Sequence, residues 1–113
     1  VAFDERLAAR IDALIGERDG ISSRRMFGGI AWMLDGNMAC GVVREDLMLR
    51  LGPDGASAAL TELGVRPMDF TGRPMRGYVF ADAEATASDA ALATWVERSL
   101  AFAAALPPKH ATD

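Results

Sequence analysis

In the first part of the chain, apolar residues recur every three or four positions. Phe3, Leu7, Ile11, Leu14 and Ile15 fall on one side of a helix. Asp4 stands where a capping side chain is needed, and Gly16 and then Gly20, after "ERD", end the segment, so a helix is predicted near residues 4–18. From residue 30 the period shortens. "IAWML" (30–34), "MACGVV" (38–43) and "LMLRL" (47–51) are short, apolar and rich in residues that favour extended backbone. Asp35-Gly36 is a tight-hairpin pair, and Arg44-Glu45-Asp46 is a polar break that makes a second turn. Three antiparallel strands in series follow. "DGASAALTELG" then reads as a short helix ended by Gly64, and "VRPMDF" and "MRGYVFA" as two further extended pieces joined by "TGRP". Ser88 caps a last helix, over residues 89–105, in which Leu92, Trp95, Val96, Ser99, Leu100 and Ala103 share a face. Pro107-Pro108 stops it, and residues 108–113 are expected to form a loose tail. The order predicts an α+β domain, a hairpin-connected antiparallel meander with flanking helices, as one unit over residues 1–113.

Composition narrows this picture. With 113 residues, half of them hydrophobic, the chain can bury a core without staples. A single cysteine, Cys40, excludes an internal disulfide and a thiolate cluster, which fits a reducing compartment. The opening "VAFDERLAARID" has acids where a secretory signal needs a basic start, and no apolar run approaches the roughly 20 residues that cross a bilayer. The expectation is a cytoplasmic protein with no membrane contact.

The net charge of −4 is unevenly spread. Residues 24–76 carry seven arginines against six acids, whereas both flanks are acidic. Duplex DNA binding draws its affinity from neutralised phosphates, so strong, independent DNA binding is not expected from this balance.

Candidate chemistry is sparse. Cys40 alternates with Met38 and Val42 on one strand face and reads as a buried thiol, because nothing nearby lowers its pKa. His110, the only histidine, lies in the tail, so no Cys/His metal cluster and no Ser-His or Cys-His pair is available. No metal site, cofactor site or catalytic residue is assigned. The methionines at 26, 33, 38, 48, 68 and 75 read mostly as core filler, with adaptable partner contact as the alternative. Gly28-Gly29 matches no phosphate-loop pattern and reads as a sharp bend or bulge between a short strand and the hairpin. The arginines stand out most. Arg24 and Arg25 precede that bend, and Arg73 and Arg76 flank Pro74-Met75 in the other loop. If the loops meet, Arg25, Gly28, Gly29, Arg73 and Arg76 form an anion or partner contact. If they do not, the arginines are a solvated edge that discourages strand addition.

"RRMFGGIAWMLDGNMACGVV", "GRPMRGYVF" and "LATWVERSLAFAAALPPK" together resemble the N-terminal domain of the TfoX (Sxy) family, over about residues 4–109. That resemblance implies an α+β fold of the secretion-chaperone kind and no catalytic residues. Named family members regulate natural competence and carry a second, helical C-terminal domain that is not in this sequence. The resulting expectation is a small non-enzymatic regulatory or interaction module, with a protein partner or a second copy of itself. The alternatives are an anion or nucleic-acid binder using the arginine loops and, behind it, an enzyme of unknown type.

Overall fold

The computed structural model describes residues 3–26, 28–69 and 75–109. The first helix, α1 (Glu5–Ile15), starts where Asp4 Oδ1 accepts from the amides of Arg6 at 2.9 Å and Leu7 at 3.1 Å. Strands β1 (Ile21–Met26), β2 (Gly29–Leu34), β3 (Asn37–Val43) and β4 (Asp46–Arg50) follow in one antiparallel meander. Helix α2 (Gly52–Ala59), strands β5 (Val65–Pro67) and β6 (Tyr78–Ala81) and helix α3 (Asp89–Ala104) complete the order. The sheet runs β1-β2-β3-β4-β6-β5, so β6 inserts between β4 and β5. This is the α+β architecture expected from the change of hydrophobic period, with α2 beginning slightly earlier than the sequence suggested. It begins at Gly52, with Pro53 in its first turn.

The hairpins obey turn chemistry. Asp35 and Gly36 both have positive φ (51° and 84°), which is the geometry a two-residue turn between twisted strands needs. Arg44 (φ 55°) turns the chain between β3 and β4, and its carbonyl accepts from the Asp4 amide at 2.6 Å, tying the start of α1 to this corner.

All three helices lie on one side of the sheet. The main core joins Leu7, Ile11 and Ile15 of α1, Ala56 and Ala59 of α2, and Leu92, Val96 and Leu100 of α3 to Trp32, Val42, Leu47, Leu49 and Val79 of the strands. Burying one such aliphatic side chain contributes roughly 1.5–3 kcal/mol, so this layer dominates the fold's stability. Trp95 is buried in it as well, and the Arg98 guanidinium stacks on its ring at 4.3 Å.

One irregularity changes which residues face the helices. Trp32 pairs with Cys40 but Met33 pairs with Met38, so Ala39 is an extra residue in β3. At such a bulge two successive side chains turn to the same side. Ala39 and Cys40 both join the main core, while Met38 packs with Met48, Met68 and Phe80 in a second cluster. The simple alternation that grouped Met38 with Cys40 is therefore corrected. Met48 and Met68 are buried as core filler, but in this second cluster and not, among the described residues, in the main core.

After α3 the chain folds back over the β2–β3 turn. The Asn37 side chain donates to the Pro107 carbonyl at 2.8 Å, and the Lys109 amide donates to the Asp35 carbonyl at 2.7 Å. Residues 108 and 109 are thus held against the hairpin, unlike the loose tail expected from residue 108 onward. His110 lies outside the described residues.

Candidate interaction surface

β1 is the element the hydrophobic pattern did not single out. Its sequence, "ISSRRM", is exposed from Ser22 to Arg25, because β1 lies at the sheet's edge beyond the helix layer. Arg25 projects to the helix side, where its guanidinium stacks over the Phe3 ring at 5.3 Å. There it borders a groove of about 270 Å³ between α1 and β1, whose lining includes Glu5, Ala8, Asp12, Ser23 and Trp32. The Trp32 indole N–H donates to Asp12 Oδ1 at 3.2 Å across that groove, fixing the ring beneath it.

Gly28 and Gly29 have structural work. Gly28 has φ 74° in the turn between β1 and β2, and Gly29 pairs with Met26. A Cβ on Gly29 would stand 2.1 Å from the Val42 carbonyl oxygen, so close approach of β2 to β3 requires glycine there.

Arg25 and Arg76 do not converge. Arg25 lies in the row Arg25–Ile30–Val42–Leu47–Ala81, at one end of the strands. Arg76 precedes Tyr78, at the opposite end of β6 and four strands away. Strand spacing and rise put them on the order of 25 Å apart. Arg73 lies outside the described residues. Arg25 and Arg76 thus form no common patch, because the sheet's width and length both separate them.

The outer face carries the second cluster, Met48, Met68 and Phe80 buried together with Met38, Val43 and Tyr78 half-buried around them. No described helix covers it. Ion pairs lie elsewhere or at its far edge: Arg10–Asp89, Arg18–Glu97, Arg98–Glu62 and, beside Phe80, Arg66–Asp46. The Arg18 partner holds the Glu97 carboxyl below its usual range.

Cys40 is fully buried beneath α3. Burial pushes its thiol pKa up to about 12, with a weaker opposing effect from its hydrogen bond with Ser99, so it carries no reactive thiolate. Among the described residues, no group of three or more His, Cys, Asp or Glu side chains is placed to hold a metal ion. No described helix is long and apolar enough to cross a membrane.

Comparison with protein families gives a match to the TfoX N-terminal domain over residues 13–103. The chain belongs to the TfoX N-terminal domain family. The match runs from α1 into α3 and takes in the whole six-stranded sheet, including β1 and the outer face. No curated protein and no solved structure was found to match the chain. In this TfoX N-terminal domain, the surfaces left without a described covering layer are the outer face and the β1 edge.

Proposed function

We propose that this TfoX N-terminal domain is a non-enzymatic protein-interaction module with a regulatory role. The observation that supports it is the one-sided helix layer, which leaves Met38, Val43 and Tyr78 half-buried around a methionine-rich cluster on the other side. Flexible, polarisable methionine side chains suit adaptable protein contacts. The regulatory half of the reading comes from the family, whose named members are competence regulators. The separation of Arg25 from Arg76 removes the main support for the alternative, an anion or nucleic-acid binder built on converging loops.

The test is affinity capture from native lysate with wild type and a Met38→Asp/Val43→Asp variant whose folding is checked by circular dichroism. Expected is a reproducible protein partner retained by wild type and lost by the variant. Equal capture of the same partner by both proteins removes the outer face as the contact surface, and recovery of no protein, or of nucleic acid alone, overturns the reading.

A further inference from the structure

The two edges of the sheet are built differently. β5 is three residues long and ends in Pro67, and its Arg66 is held by Asp46, so this edge is blunted. β1 is six residues long, has no proline and pairs with β2 without a register break. Among the described residues, no other backbone pairs with its outer side.

Charge selects what fits there. Arg24 and Arg25 are neighbours, so they project to opposite faces, Arg25 toward Phe3 and Arg24 toward the outer face beside Ala31. Neither makes an ion pair among the described residues, whereas Arg10, Arg18, Arg66 and Arg98 all do. Residues opposite them on an added antiparallel strand point to the same two faces, so two consecutive carboxylates would meet both guanidinium groups. On the helix side, the groove is lined by Phe3, Ala8 and Trp32 and also by Glu5 and Asp12, so there the segment's carboxylate must sit on Arg25, with a small apolar side chain beside it in the groove. A second copy fits poorly, because β1 against β1 lines four arginines along one seam.

We infer that β1 is a docking edge for an extended acidic segment of another protein, which adds antiparallel to the six-stranded sheet through its backbone and pairs with Arg24 and Arg25. The inference rests on the interaction reading and specifies the chemistry of one partner.

The probe is a synthetic peptide of about ten residues, alternating Thr and Val around a central Asp-Glu. It is compared with a Lys-Lys counterpart and with a version N-methylated on its pairing-side amides. Anisotropy and amide exchange are measured on the full chain at low salt. The acidic peptide is expected to bind, to protect amides within residues 22–25, and to weaken as salt rises. An Arg24→Glu/Arg25→Glu variant should lose about tenfold in affinity and prefer the Lys-Lys peptide. N-methylation should abolish binding. The variant loses the stacking of Arg25 on Phe3, worth about 0.5–1 kcal/mol at an exposed site, so its melting temperature should fall by no more than about 4 °C, and a single cooperative unfolding transition certifies its fold.

Failure of the acidic peptide to bind, equal binding of both charges, or a peptide-free dimer lost on charge reversal overturns the inference. So does protection that falls on Met38 and Val43 instead, although that outcome leaves the interaction reading standing. Equal capture by wild type and the Met38→Asp/Val43→Asp variant removes the outer-face reading without touching this result.

Discussion

Gly29→Ala puts the close approach of β2 and β3 to a direct test. The added Cβ would sit 2.1 Å from the Val42 carbonyl oxygen and 3.2 Å from its carbon, and Val43 Cγ2 would lie at 3.3 Å. Relief requires the backbones to part by about 1 Å, since non-bonded heavy atoms settle beyond about 3 Å. The obstacle is backbone in a central pair of strands, so no side-chain rotation removes it. Overpacking of this kind costs about 1–3 kcal/mol. For a domain of this size, 1 kcal/mol corresponds to roughly 4 °C, so the melting temperature should fall by about 4–12 °C. Thermal unfolding followed by circular dichroism measures this. Amide exchange should quicken at the β1–β2 turn and along β3, while the far strand β6 changes least. An unchanged melting temperature, within about 1 °C, would refute the reasoning. If that variant also lost peptide binding, Gly29 would belong to a contact and not to the scaffold.

Further outcomes follow from the core and from one surface ion pair. Trp95→Ala should destabilise the domain by about 3–5 kcal/mol, because it empties a buried aromatic site and removes the surface on which Arg98 stacks; denaturant unfolding checks it. Cys40 should resist a thiol reagent in the native state and react on unfolding. Since burial raises its folded pKa to about 12, its contribution is complete below the thiol's unfolded pKa and fades as pH rises toward 12, so Cys40→Ala should flatten the alkaline decline in stability measured by urea titration. Glu97 has a lowered folded pKa, so its contribution is present above the ordinary carboxylate range and lost on acidification. As both partners are about half exposed, Glu97→Gln should cost under about 1 kcal/mol at neutral pH, and salt should shrink the difference.

The helices and the central hairpin were legible because local chemistry specifies them. Asp4 and Ser88 cap the helices the spacing predicted, with Ser88 Oγ accepting from the Ala91 amide at 3.0 Å, and Asp35-Gly36 makes the turn its residue types require. β1 was legible only as a short strand of unstated length before Gly28, because strand signals come from a buried face and a strand beyond the helix layer has little of one. The bulge at Ala39 escaped because "MACGVV" is apolar throughout and gives no alternation to break. The placement of the arginines depended on strand order. Once β6 pairs with β4, Arg76 lies across the sheet from Arg25, and neither loop's composition encodes that distance.

The bulge also bears on how the parts of the molecule are joined. Ala39 and Cys40 turn inward together into the core layer, and Cys40 meets the small Ser99 of α3. Where short side chains face each other there is little compressible material between helix and strand. β3 and α3 therefore lie in close packing at this point, with no long side chain between them to absorb a change in spacing. At the far end of that helix the returning segment, through Pro107 and Lys109, is fastened to Asn37 and Asp35 of the same hairpin. The sheet's central strand, the last helix and the hairpin tip are thus joined in a closed ring of contacts.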